Sequence, residues 1–155
     1  MSPIAKRSTT QAPAVKSHAT AEKSVLEAIV GKQLTELQVT EMVERGLPIS
    51  SVEVPRRAGL TFSEVHGLVI PARTLKHRKE KKQALSVEEA DRTLRIARVI
   101  ALADRAFGNH EKVLRWLRRE NDRLDGRTPL AMLRSEVGGD LVRQMLYQID
   151  EGIYV

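Results

Sequence analysis

Residues 61–80 read TFSEVHGLVIPARTLKHRKE, and this stretch decides the architecture. Thr61-Phe62-Ser63-Glu64 is a capping box: the Thr61 hydroxyl can accept from the Glu64 amide while the Glu64 carboxylate reaches back. The helix it opens puts Phe62, Val65, Leu68 and Val69 on one side. Pro71 falls where a second helix begins, because a residue in the first helical turn does not need its N–H. That second helix runs through Leu75 to about Lys79 and is strongly basic. Two short helices across a tight turn, the second one cationic, form the pattern of a helix-turn-helix over about 61–80. The same residues would also make an ordinary helix hairpin with a solvated basic face.

Outward from this stretch, residues 1–22 are rich in Ser, Thr, Ala, Pro and Lys and lack apolar periodicity, which predicts a flexible tail. Residues 23–84 read as a helical part that holds the helix-turn-helix. In it Val25, Ile29, Leu34, Leu37, Val39 and Val43 predict two short helices, the second stopping at Gly46 in the breaker cluster Gly46-Leu47-Pro48. Between Ser50 and Arg57 a short helix and an extended piece are both compatible with Pro55.

Residues 85–155 read as a compact helical domain. Ser86-Val87-Glu88-Glu89 is a second capping box, and it opens the longest helix, about 87–107. On that helix Ile96, Val99, Ile100, Ala103 and Phe107 recur at helical spacing, and Ala90, Leu94, Ala97 and Ala101 add an adjoining stripe. Asp91, Arg95, Arg98 and Arg105 share the narrower polar arc. So wide an apolar face predicts the central helix of a bundle. Gly108-Asn109 ends it and caps the next helix, with Val113, Leu114, Trp116 and Leu117 facing inward. Thr128-Pro129 starts a short helix anchored by Leu130 and Leu133. Gly138-Gly139-Asp140 resets the chain, and Val142, Leu146, Ile149 and Ile153 line the last helix. No stretch alternates as a strand does, so the fold class is all-α.

The chain has 155 residues with 26 Lys+Arg against 20 Asp+Glu, a net charge of +6. Residues 1–84 carry 14 basic and 8 acidic side chains, whereas residues 85–155 carry 12 of each. The whole excess therefore lies in the first half. Arg73, Lys76, Arg78, Lys79, Lys81 and Lys82 fall within ten positions, opposed only by Glu80. Such a run is a phosphate-binding footprint or a solvated basic linker. The five aromatic residues, Phe62, Phe107, Trp116, Tyr147 and Tyr154, are too few for single-strand recognition by rows of stacked rings. There are no cysteines, which excludes a disulfide framework and a thiol nucleophile. The longest apolar run, residues 99–103, is far short of a membrane span, and no secretory signal is visible. These features point to a soluble, cytoplasmic protein without a membrane partner.

Catalytic chemistry finds little support. His18, His66, His77 and His110 are not at metal-ligand spacing, no glycine-rich phosphate loop is present, and no serine sits in a nucleophile elbow. No enzyme activity, cofactor or metal is expected. The basic second helix is more informative. In a helix-turn-helix its early outward positions meet base edges, here Ala72, Arg73, Lys76 and His77, with Ile70 and Leu75 toward the core. The planar fork of Arg73 matches guanine O6 and N7. Arg78, Lys79, Lys81 and Lys82 lie further along and suit phosphates, which position without reading sequence. Thr74 is divided between a local helix bond and a phosphate.

Phe107-Gly108, Trp116-Leu117, Asn121, Leu124, Gly126, Thr128-Pro129-Leu130, Leu133, Gly139, Val142, Leu146 and Gly152 follow in an order that resembles a known family. On these residues the segment 85–155 is similar to the toxin-binding domain of Xre-type antitoxins from RES–Xre toxin–antitoxin pairs, relatives of the MbcA and ParS antitoxins. Upstream, Gly46-Leu47-Pro48 and residues 69–75, VIPARTL, resemble that family's N-terminal helix-turn-helix. Two positions depart from the pattern: Val69 stands where the turn usually has glycine, and Pro71 where a polar cap is usual. The resemblance implies an antitoxin that binds a RES-domain toxin, covers its NAD-consuming cleft, and represses its own operon by binding operator DNA. A homodimer within a larger toxin–antitoxin complex is expected, because two-fold readers match palindromic half-sites. A dimeric helix-turn-helix regulator without a toxin partner is the alternative.

The chain end, Asp150-Glu151-Gly152-Ile153-Tyr154-Val155, suggests how a cleft would be covered. Asp150, Glu151 and the Val155 carboxylate could approach cationic groups that serve a pyrophosphate, Tyr154 offers an aromatic surface, and Gly152 lets the chain leave the helix. A frayed helix end is the plain alternative. Arg127 and Arg134 are expected on the rim of the same interface.

Overall fold

The structure is a computed structural model that describes Glu27 and residues 33–153. The expected tail, the first short helix apart from Glu27, and the last two chain-end residues, Tyr154 and Val155, lie outside the described residues. Within them the chain is all helical. Helix α1 (Glu36–Arg45) is followed by one 3-10 turn (Ile49–Val52) and α2 (Glu53–Arg57). Pro55 thus sits inside a short helix, at its third residue, within the first turn where backbone N–H groups have no i−4 partner in the same helix. Then come α3 (Phe62–Leu68), α4 (Ala72–Glu80), the long α5 (Val87–Phe107), α6 (His110–Arg118), α7 (Pro129–Met132) and α8 (Glu136–Asp150).

Helix α5 is the axis of the molecule. Residues 93–97 are all buried, so at this level neighbours enclose the helix on every side. It packs most extensively on α8, and also on α6, α1 and α2. Helices α5 and α8 run in the same direction, because Arg95 meets Glu136 and, further along both helices, Arg105 meets Asp150. The capping box at Ser86 is formed as the sequence suggests: Ser86 Oγ accepts from the Glu89 amide at 3.2 Å, and Glu89 Oε2 accepts from the Ser86 amide at 2.7 Å. Gly108 closes the helix in the left-handed region, and Asn109 Oδ1 caps α6 through the Lys112 amide at 2.9 Å. One core runs through the whole molecule, joining Val65, Ile70 and Leu75 of the first half to Ile96, Val113, Leu133 and Leu146 of the second.

Four expectations are corrected. Arg95, assigned to the polar arc, is only 4% exposed. Its guanidinium binds Asp91, donates from Nε to Glu136 Oε2 at 2.8 Å and from Nη1 to the Leu133 carbonyl at 3.3 Å. A buried charge is tolerable with that many partners. Ala101, counted in the apolar stripe, is exposed. Gly138 and Gly139 do not reset the chain but lie inside the first turns of α8, which Ser135 caps. They are required there by close approach: a Cβ on Gly138 would stand 2.1 Å from the Met132 carbonyl oxygen, and one on Gly139 2.8 Å from Arg95 Cδ. Ile153 is not on the last helix. Gly152 adopts φ +69° after Asp150 ends α8, and Ile153 is 60% exposed, its amide returning to the Gln148 carbonyl at 2.8 Å.

Candidate nucleic-acid and partner interface

Helices α3 and α4 are joined by Val69, Ile70 and Pro71, and the first of them opens with the expected capping box. The turn works without its usual glycine because Val69 stays right-handed, at φ −107°. The carbonyls this turn exposes are taken by side chains. His66 Nδ1 donates to the Ile70 carbonyl at 3.1 Å, and Arg92 Nη1 of α5 donates to that of Val69 at 3.3 Å. Val69 and Ile70 are buried, so hydrophobic packing holds the turn from beneath. Pro71 is the residue before the helix rather than its first residue: its carbonyl accepts from the Leu75 amide at 2.9 Å, and α4 has no side-chain cap at its start. Phe62 is a further correction. It is 60% exposed rather than in the core, and its ring is covered by the Arg56 guanidinium, whose Cζ lies 3.3 Å from the centroid.

On α4, Leu75 points inward, while Ala72, Arg73, Lys76 and His77 are exposed together. At about 100° per residue these four span roughly 140° of one outward face. Thr74 is half-buried at its edge. Lys79, Lys81 and Lys82 are also exposed. Lys82 adopts φ 52°, which turns the chain away from α4, and the Gln83 amide reaches back to the Arg78 carbonyl at 2.9 Å. Arg78 differs from the rest of the cationic set. It turns inward and pairs with Glu89, Nη2 donating to Oε1 at 3.2 Å and Nε lying 3.1 Å from Oε2 without hydrogen-bond alignment, while Nη1 donates to the Ala84 carbonyl at 3.3 Å. This ion pair ties α4 to the start of α5.

The other helix of the pair is fixed in the same manner. Glu64 completes its capping box by accepting from the Thr61 amide at 2.7 Å. It also takes both Nε and Nη2 of Arg118, at 2.7 and 2.9 Å, and Arg118 Nη2 donates to the Gly59 carbonyl at 2.9 Å. Hydrogen bonding from Arg118 is the main reason that the Glu64 carboxyl lies below its usual 4.5, against the opposing effect of burial. Both capping-box glutamates were legible in the sequence. Their arginine partners were not, because Arg118 is 54 residues from Glu64 and nothing local marks the pairing.

The second half presents a different surface. Phe107 and Trp116 pack tilted with centroids 5.5 Å apart. Asn121 Oδ1 accepts from the Arg123 amide at 3.0 Å and the Asn121 amide donates to the Arg127 carbonyl at 3.1 Å, closing a loop whose anchor, Leu124, is buried. Thr128 Oγ1 caps α7 through the Ala131 amide at 3.1 Å. Arg127 is exposed and its Nε donates to the Leu124 carbonyl at 3.1 Å. Arg134 is exposed and lines a shallow cleft between α3 and α7, with Ser63, Gly67 and Ala131. Asp150 pairs with Arg105 at 3.2 Å, and Glu151, Gly152 and Ile153 are exposed. The 15 residues of α8, about 22 Å, separate Arg134 from the chain end, so these residues form a long strip and not one compact site.

Beneath that strip runs a chain of charges. Arg143 binds Asp140 and donates to Glu136 Oε1 at 3.0 Å, and Glu136 in turn binds Arg95. Burial pushes the Glu136 carboxyl up, but the hydrogen bonds and charges of Arg95 and Arg143 together outweigh it and leave it below 4.5. Among the described residues no three His, Cys, Asp or Glu side chains gather as a metal site, and no helix is long and apolar enough to cross a membrane.

Comparison with known proteins agrees with this division. Residues 38–98 match the model of the antitoxin Xre-like helix-turn-helix domain, and residues 102–152 match that of the antitoxin Xre/MbcA/ParS C-terminal toxin-binding domain. An antitoxin Xre from Pseudomonas putida strain KT2440 is 45% identical over 101 residues, which are 65% of this chain and 63% of that relative. The match thus spans less than two thirds of the relative's length. With a helix-turn-helix domain matched over residues 38–98 and a C-terminal toxin-binding domain matched over residues 102–152, the chain belongs to the Xre/MbcA/ParS antitoxin family.

Proposed function

We propose that the chain is an antitoxin that neutralises a RES-type, NAD-consuming toxin and represses its own operon. The observation that carries this reading is the union, on one core, of an outward cationic helix with a domain matching a toxin-binding family. Arg73, Lys76 and His77 read base edges, and Lys79, Lys81, Lys82 and the Thr74 hydroxyl meet phosphates. The uncapped start of α4 offers its first amides to a phosphate as well. Arg78 serves DNA indirectly, by fixing the angle of α4 through Glu89. The active form is a homodimer, whose two heads meet the half-sites of a palindrome.

In this reading the chain end, from Asp150 through Val155, enters the toxin's NAD cleft. Gly152 turns it off the helix axis, and Arg127 and Arg134 lie beside the path. A full-length chain and one ending at Ile149 are each co-expressed with a RES-domain toxin. The full chain should co-purify with that protein and preserve cellular NAD. The shortened chain, with folding checked by circular dichroism, should bind and leave NAD consumption unchecked. Undiminished protection by the shortened chain would eliminate the plug. Failure of the full chain to bind would return the protein to the reading of a regulator without a toxin.

A further inference from the structure

We infer that α6, although it lies within the segment matched to a toxin-binding domain, makes a second contact with DNA: Lys112, Arg115 and Arg119, with Arg57 beside them, meet backbone phosphates outside the groove that α4 enters. This rests on the reading of α4 as the helix that enters the groove. On α6, Val113 and Leu117 are buried, while Lys112, Arg115 and, just past its end, Arg119 are exposed. At about 100° per residue the three cations lie within about 60° of one another and rise about 10 Å along the axis. That rise matches about three phosphates of one strand, at roughly 3.4 Å each. Among the described residues Glu111, at the edge of this face, is the one acid on it. Arg95, Arg105, Arg118 and Arg143 all hold carboxylates, but among the described residues none pairs with Lys112, Arg115 or Arg119. The helix dipole favours Arg115 and Arg119 near the C-terminal end but works against Lys112 in the first turn.

Placement selects the partner. In a helix-turn-helix the first helix crosses the DNA backbone while the second lies in the groove. Here the first helix is α3, and its start is fastened to α6. Arg118 donates to Glu64 and to the Gly59 carbonyl, and a Cβ on Gly59 would stand 2.7 Å from Leu114 Cδ1 and 3.4 Å from His110 Nε2. His110, Leu114 and Arg118 form one row of α6, so that row lies along the segment from Gly59 to Glu64. The cationic row is the next one outward. Arg57 is exposed two residues before Gly59. The four cations therefore flank the place where α3 meets the backbone. A second copy would bring like charges to this face, and a cleft built for a pyrophosphate suits the acidic chain end rather than these arginines.

The full chain is titrated into a mixed-sequence duplex of about 40 bp, which reports phosphate contacts rather than base reading, and affinity is followed by fluorescence anisotropy at about 50–200 mM salt. The double variant Arg115→Gln, Arg119→Gln should bind at least tenfold more weakly at about 0.1 M salt and lower the slope of log K against log[salt] by about 1.8. Arg115→Lys with Arg119→Lys keeps both charges and should retain the wild-type slope. Arg105→Gln removes a cation that already pairs with Asp150, and should leave the slope near that of the wild type. Thermal melts should match throughout. If the double glutamine variant melts early, Arg115→Gln alone should lower the slope by about 0.9. An equal loss per charge in Arg105→Gln would reduce the effect to net charge and overturn the inference. A wild-type slope in the glutamine variant, beside a lowered slope in Lys79→Gln with Lys81→Gln, would overturn it while leaving α4 on DNA. Weakened capture of a RES-domain toxin by that same glutamine variant would then give the face to the toxin. Absence of DNA binding by the wild-type chain would remove the reading of α4 and the inference together.

Discussion

Replacing Gly138 by alanine tests the packing of the second half directly. Helix propensity alone favours the change by up to about 1 kcal/mol, because glycine loses more chain entropy in a helix than alanine does. The geometry predicts the opposite. The new Cβ would sit 2.1 Å from the Met132 carbonyl oxygen, where ordinary contacts begin near 3.4 Å. Relief requires α7 and α8 to separate by more than 1 Å, and the obstacle is backbone, which cannot swing aside. Overpacking of this kind costs about 3 kcal/mol, so the net loss is about 2 kcal/mol. For a chain of this length that lowers the melting temperature by about 4–8 °C. Gly67→Ala in α3 is the matched control: its Cβ would meet only Arg134 Nη2, at 3.8 Å. That variant should gain about 0.5–1 kcal/mol and melt about 1–4 °C higher. Thermal melts by circular dichroism read both. A rise for Gly138→Ala, or a fall for Gly67→Ala, would refute the reasoning.

Further predictions concern charge. Arg95→Met removes the shared cation of two half-exposed carboxylates, Asp91 and Glu136, together with a hydrogen bond to the Leu133 carbonyl, and should cost about 1.5–3 kcal/mol in urea melts. Glu64 and Glu136 both have lowered pKa values in the folded chain, so the stability they supply is complete above about 4.5 and is lost as pH falls through the folded values. Urea midpoints should therefore drop on acidification below that point, and Glu136→Gln should flatten the slope. A double-mutant cycle of Glu64→Gln and Arg118→Met should give a coupling of about 1 kcal/mol, and additive effects would show the pair to be inert. Lys82→Gly relieves a left-handed lysine and removes a cation, so it should raise stability by about 0.5–1 kcal/mol while weakening every DNA sequence alike. A salt dependence unchanged from the wild type would remove Lys82 from the phosphate set.

The local signals were read reliably from sequence. Both capping boxes, the bounds of α5 at 87–107 and the Thr128-Pro129 start follow from interactions that span four residues or fewer. The misreadings arose where a distant partner decides. Arg95 has the periodicity of a surface residue and is buried because Glu136 and the Leu133 carbonyl come to it from 41 and 38 positions away. Phe62 fits a core stripe, yet Arg56 covers it from outside. Gly138-Gly139 looks like a break because helix propensity sees the glycines and not the carbonyl above them. In the cationic helix the exposed positions were legible from the 3.6-residue period, whereas the inward turn of Arg78 required Glu89, eleven residues on.

The double duty of Glu64 and Glu89 has a consequence for turnover. Each carboxylate starts one helix and at the same moment grips an arginine from another element. Unravelling either helix from its first turn must release that arginine, so local fraying and the parting of the two halves become a single event. A protease that needs a loose strand of ten or so residues would find none at these helix starts until the molecule has come apart as a whole.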